Sequence, residues 1–292
     1  MAHAHDGGYY LPEPSKWPIT ASAGMFTMAI GAGSWINGLG AGKYILALGL
    51  LIVLYVVIGW FSTVIRENEK GLFNEQVDRS FRWGMSWFIF SEVMFFAAFF
   101  GALFYVRMLS VPWLGGEGAK FATHEYLWPG FQAMWPLLQM PYPQNFAVPR
   151  EMMAAWGVPA LNTLILLSSG VTVTWAHWGL KRNRRAQLII GLLFTVLLGM
   201  LFLSFQAYEY GHAYHELNLK LSSGVYGSTF FMLTGFHGLH VTLGTIMLMV
   251  ILGRSIAGHF KPDDHFGFEA VAWYWHFVDV VWLGLFIFVY WL

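Results

Sequence analysis

Seven stretches of this chain are long and apolar enough to cross a bilayer, and that property restricts its fold more than any other. Residues 17–42, 44–65, 152–180, 186–208 and 221–253 contain no Asp, Glu, Lys or Arg. Two further runs, 83–106 and 270–292, are broken only by Glu92 and by His276 and Asp279. A helix needs roughly 20 residues to span the hydrocarbon core, and each run exceeds that. The expected fold is an all-α integral membrane protein with seven transmembrane helices in one domain covering residues 1–292. Its spans are placed at about 18–36, 44–65, 83–107, 152–177, 186–208, 225–253 and 270–292.

Composition supports this. Charged residues are 11% of the chain, against about 25% in soluble domains, too few to cover a globular surface. Formal net charge is zero and no basic tail is present, which argues against nucleic-acid binding. There is no cysteine, hence no disulfide framework and no thiolate metal site. Residues 1–18 are polar and turn-rich, without the basic region and short apolar core of a cleaved signal peptide.

The basic residues give an orientation. With the N-terminus inside, Lys16, Arg66, Lys70, Arg79, Arg82, Lys181, Arg182, Arg184, Arg185, Arg254 and Lys261 fall on the inner side. Only Lys43, Arg107, Lys120, Arg150 and Lys220 fall outside. The positive-inside rule therefore favours N-in, C-out. Segment 1 is rich in small residues, including Gly24, Gly31 and Gly33, which predicts close packing on a neighbouring helix. The charged stretch 66–82, with Leu72, Phe73, Val77 and Phe81, reads as a short amphipathic piece at the interface. The Pro-, Gly- and Trp-rich stretch 108–151 reads as an ordered outer loop lying on the surface.

Ionisable groups inside the spans are the candidate sites, because a charge near the bilayer centre costs roughly 2.5–3.5 kcal/mol on insertion scales. Glu92, about ten residues into segment 3, is either a buried carboxyl hydrogen-bonded to another helix or a proton-handling group. His237 and His240 are three residues apart on one helix face, as are His276 and Asp279. Glu269, Trp273 and His276 fall near one stripe. A metal or haem site could be drawn through these groups. No thiolate or carboxylate-rich motif accompanies them, and Gly235 and Gly238 look like helix-packing positions. His237, His240, Glu269, His276 and Asp279 are therefore expected to be buried structural polar groups, with no metal and no catalytic residue in this chain. Arg66, Glu67, Arg254, His259 and Lys261 gather by topology at the inner ends of segments 2 and 6, as solvated charges or as contacts to phospholipid head groups. His3, His5, His212 and His215 lie in polar ends or loops and receive no role.

Taken together, these segments resemble subunit III of the haem–copper cytochrome c oxidases almost from end to end. The resemblance rests on Pro14-Ser-Lys-Trp-Pro18, Val64-Ile-Arg-Glu67, Phe81-Arg-Trp-Gly-Met85 and Ser91-Glu-Val-Met-Phe-Phe96. It continues through Pro159-Ala-Leu-Asn-Thr163, Ser169 to His177, Gln206-Ala-Tyr-Glu-Tyr210, Val225 to His240 and His265 to Trp282. It implies helices 1–2 and 3–7 as two bundles around a lipid-filled cleft. It also implies that this subunit holds no redox centre, while the adjacent catalytic subunit I carries haem a, haem a3 and copper. Subunit II completes the core, and cytochrome c is met only through the complex.

The resemblance further implies that the subunit stabilises subunit I, binds phospholipids and supports proton uptake, with a contribution to oxygen access. Glu92 matches the family's membrane-buried glutamate. Arg66, Arg254 and His259 match positions that meet lipid head groups, and Ala257 stands where some members carry a cation. The 108–151 loop is longer than in the mitochondrial form, which favours a bacterial aa3-type enzyme. The expected location is then the bacterial inner membrane, with a cytoplasmic N-terminus and a periplasmic C-terminus. The function expected is that of an accessory subunit of a proton-pumping oxidase in aerobic respiration. The alternatives are the matching subunit of a quinol oxidase, or an independent proton-coupled transporter using Glu92, His237, His240 and Asp279.

Overall fold

A computed structural model describes residues 10–11, 13–140 and 143–292. His3 and His5 lie outside the described residues. Among the described residues seven helices are long and apolar enough to span a membrane: α1 Trp17–Ile36, α2 Gly42–Glu69, α3 Glu75–Leu114, α4 Val158–Lys181, α5 Arg185–His215, α6 Gly224–Ala257 and α7 Phe266–Trp291. Among the described residues there is no β-strand, only an isolated bridge between Lys261 and Asp264. Two compact units form, one ending at Trp83 and the other running from Gly84 to Leu292, with the division inside α3.

In the first unit, α1 and α2 make an antiparallel hairpin whose backbones nearly touch. Gly24 faces Ile52, Gly31 faces Leu46, Gly42 faces Trp35 and Gly49 faces Met28. Each helix thus presents two glycines seven residues apart, two turns along the same face. A Cβ at Gly31, Gly42 or Gly49 would overlap the backbone of the partner helix, which cannot move aside as a side chain can. Lipid supplies no hydrophobic drive to hold helices together, so this close approach carries the association. Gly33, grouped with them on sequence, faces open space.

Several ends differ from those expected. Residues 66–82 are not a separate interfacial piece: α2 runs to Glu69 and α3 already begins at Glu75. The break ends at Asn74, whose side-chain oxygen accepts a hydrogen bond from the Val77 N–H at 3.0 Å, as an N-cap does. Glu75 and Asp78 then sit in the first turn, and Asp78 pairs with Arg82 at 2.7 Å. At its other end α3 continues through a wider turn, Val106–Ser110, to Leu114. α4 starts at Val158 rather than 152, after Gly157 at φ 115° and with Pro159 in its first turn. His212 and His215, read as lying in polar ends or loops, belong to the last turn of α5.

The described part of the connection between α3 and α4 packs on the helix before it. Val111, Phe131 and Leu137 form a small buried cluster. Its end is tied down by Arg150 N–H to the Leu217 carbonyl (2.8 Å), Asn218 Nδ2 to the Val148 carbonyl (2.9 Å) and Met153 N–H to the Tyr226 hydroxyl (3.1 Å).

In the second unit, α4, α5, α6 and α7 enclose Trp275, Trp282, Phe202, Phe230 and Leu248, all fully buried. Polar side chains cross-link the helices. Trp275 Nε1 donates to Ser169 Oγ at 2.8 Å and Trp282 Nε1 donates to Thr163 Oγ1 at 2.9 Å, joining α7 to α4. Thr172 meets Thr195 at 2.8 Å between α4 and α5, and Gln206 Nε2 donates to the Thr234 carbonyl at 2.9 Å between α5 and α6. Away from water an unmet polar group is costly, so such bonds recur wherever polar residues enter the spans. Phe104, Leu164, Val171, Leu239 and Val280 are exposed, as a surface against lipid or protein requires.

Candidate functional site

The group that stands out is a pair: Glu92 on α3 and His240 on α6, with Oε2 and Nε2 2.8 Å apart. His240 is held on its other side, where Nδ1 lies 2.6 Å from the Phe236 carbonyl one turn back. A carbonyl only accepts, so Nδ1 carries a hydrogen. Nε2 and Oε2 must then share one further proton between them. Held by the carboxyl, it leaves two neutral groups; held by the imidazole, it leaves a compensated ion pair. Both distributions are neutral overall, which suits a membrane span.

Aromatic rings surround the pair. Phe96 meets the His240 ring edge-on at 5.0 Å, Phe95 lies at 5.9 Å and Tyr274 stacks at 6.3 Å. The Glu92 side chain is 22% exposed and that of His240 11%, so the carboxyl stands at the margin of the helix bundle. The arrangement can hold one proton at a fixed point and tie α3 to α6. Neither the hollow lined by Ile19, Leu51 and Tyr55 nor the one lined by Arg185, Ser255 and Phe260 includes Glu92 or His240.

The His237–His240 face does not act as one site. His237 is fully buried, packs against Trp282 and Phe202, and points Nε2 at the Val278 carbonyl at 3.1 Å. Asp279 is buried and approaches Nδ1 of His276 at 3.6 Å. His276 corrects an expectation: its side chain is 47% exposed, with Nε2 3.2 Å from Thr174 Oγ1, because its position turns toward the outer face of α7. Glu269 is buried but separate from His276, and faces His265 and His177 instead.

The basic candidates are placed unit by unit. In the first, Arg66 is exposed at the end of α2, its Nε donating to the Ser62 carbonyl at 3.0 Å, beside half-buried Glu67. In the second, the Arg254 guanidinium lies 4.5 Å over the Phe260 ring, and His259 is exposed just past the Gly258 cap. Sequence reasoning missed His177, and also Glu209, buried in α5 near Tyr290. The four-residue spacing of His265 and Glu269 was a usable signal; His177 had none.

Seven apolar helices among the described residues, the last five of them linked by polar side chains and carrying a paired acid and histidine, define a multi-pass membrane protein. Comparison with known proteins specifies it further. The profile of the family described as cytochrome c oxidase subunit III matches residues 7–127 and 133–292. The cytochrome c oxidase subunit 3 of Marchantia polymorpha is 42% identical over 284 residues, 97% of this chain and 96% of the relative. That of Arabidopsis thaliana is 39% identical over 292 residues, covering 100% and 98%. The Danio rerio protein of the same name is 41% identical over 293 residues, covering 100% and 99%. The chain belongs to the cytochrome c oxidase subunit III family. It serves as subunit III of an oxidoreductase complex in the membrane.

Proposed function

We propose that this chain contributes no redox chemistry of its own and acts as a lateral support for the catalytic subunit of the oxidase. In this reading it packs on subunit I, within a core completed by subunit II. The haems and copper belong to those partners. The observation that carries the reading is the Glu92–His240 pair, a proton held at a fixed place on the margin of a helix bundle. A proton-bearing pair of this kind suits the surroundings of a proton-uptake route in a neighbouring subunit.

Each unit also offers basic groups at or just past the end of a spanning helix: Arg66, with Glu67 beside it, in the first, and Arg254 and His259 in the second. We assign these to phospholipid contact. His237 and Asp279 serve packing, while His240 holds the proton with Glu92. The excess of basic residues on one side supports a cytoplasmic N-terminus and a periplasmic C-terminus. The length of the α3–α4 connection supports a bacterial inner membrane.

Purification in mild detergent tests the reading. Co-purification with a haem-containing subunit, with haem signal scaling to the amount of this chain, is the expected result. A lone chain that moves protons across liposomes would overturn it.

A further inference from the structure

At the end of the bundle near the Lys181–Arg185 turn, three side chains converge from two helices. His177 lies on α4, and His265 and Glu269 at the start of α7. We propose that His177, His265 and Glu269 form a binding site for a divalent transition metal of the zinc class, clasping the start of α7 to the end of α4.

The spacing carries the argument. His177 Nε2 and His265 Nε2 are 3.3 Å apart, His265 Nε2 and Glu269 Oε1 3.2 Å, and His177 Nε2 and Glu269 Oε1 3.5 Å. Three atoms thus form a nearly equilateral triangle. Ligands bonded to zinc at about 2.0–2.2 Å in tetrahedral geometry stand about 3.3–3.6 Å apart, so this triangle is close to one face of a coordination tetrahedron. Hydrogen bonds to a charged group fit it less well, since they draw nitrogen and oxygen to about 2.7–2.9 Å.

The chemistry of the donors agrees. His265 Nδ1 lies 3.1 Å from the Lys261 carbonyl, so it carries the ring hydrogen and leaves the Nε2 lone pair facing the centre. A backbone carbonyl on the far nitrogen is the usual orienting contact of a metal-ligating histidine. His177 is oriented by the Phe268 ring, 5.2 Å away and tilted at 37°. Two imidazoles and one carboxylate make a set that zinc accepts, leaving a fourth position for water. The side chains are 21%, 8% and 11% exposed for His177, His265 and Glu269. They are sheltered, yet lie at a helix end where an aqueous ion can enter.

The test uses the assembled complex, treated with a chelator, equilibrated with zinc and desalted, with metal counted by mass spectrometry. The expected result is one more zinc per complex in the wild type than in a His265→Ala, Glu269→Gln variant. Equal zinc in both would overturn the proposal. A variant that fails to assemble is bypassed by chemical modification of wild-type histidines. Zinc should slow diethyl pyrocarbonate labelling of His177 and His265 at least 5-fold while leaving His212, its side chain 38% exposed at the end of α5, unchanged. Labelling of the pair unaffected by zinc would refute the site.

Discussion

Glu92 Oε2 on α3 lies 2.8 Å from Nε2 of His240 on α6, whose other ring nitrogen is committed to the Phe236 carbonyl. This one contact joins residues 148 positions apart and fixes how many protons the pair must hold. A carboxamide can replace the carboxyl here, because its NH2 donates to the Nε2 lone pair. Glu92→Gln should therefore assemble, stay within about 1 kcal/mol of the parent stability and keep most electron transfer. Glu92→Ala leaves Nε2 unmet and should cost about 1–3 kcal/mol. Thermal denaturation of the purified complex, with oxygen consumption alongside, measures both. Loss of all oxidase activity in an assembled Glu92→Gln complex would show that the proton of the pair is essential to turnover.

The glycine face of the α1–α2 hairpin makes a contrast within a single helix. Gly31→Ala puts a methyl group into the backbone of α2 at Leu46, and should destabilise the hairpin by about 1–3 kcal/mol. Gly33→Ala meets nothing within 4 Å and should be neutral or stabilising by up to about 1 kcal/mol. Protease resistance of the first unit in detergent distinguishes them. Equal behaviour of the two variants would contradict the close backbone approach.

Gly170 and Asp279 are coupled by space. A Cβ at position 170 would overlap the Asp279 carboxylate, so Gly170→Ala should impair packing of α4 on α7. Combined with Asp279→Ala, which removes the obstacle, it should cost at least about 1 kcal/mol less than the sum of the single changes. Additive effects in a double-mutant cycle would rule this coupling out.

Trp282 donates its indole N–H to Thr163 Oγ1 while lying fully buried. Trp282→Phe removes that bond and part of the ring, and should lower stability by about 1–3 kcal/mol. Thr163→Val keeps the ring but leaves its buried N–H unmet, and should cost about 1–3 kcal/mol. Thermal denaturation of the purified complex measures both, and a Thr163→Val complex as stable as the parent would show that the bond contributes nothing.

The lipid assignment is tested by composition. An Arg66→Ala, Arg254→Ala complex should retain fewer phospholipids than the parent, counted by native mass spectrometry. Unchanged lipid content would remove both arginines from that role.

The spans could be read from the chain because a membrane helix announces itself through an unbroken apolar run, and the bilayer leaves that run little else to form. The rule loses its edges where charge returns within a helix. Glu75, Asp78, Arg79 and Arg82 disguised the first two turns of α3, and His212 and His215 the last of α5. Likewise Glu92 and His240 were visible as ionisable residues in apolar company, but nothing along the chain told which would meet.

The amino-acid sequence by itself determined that this is a seven-helix membrane protein of the subunit III family, since apolar length and motif order are linear properties. Only the tertiary structure decided the pairings: Glu92 with His240, His237 with the Val278 carbonyl, and His177 with His265 across 88 residues. Helical spacing says which residues share a face. The rotation of each helix in the bundle, set by glycine contacts and interhelical hydrogen bonds, says what that face meets.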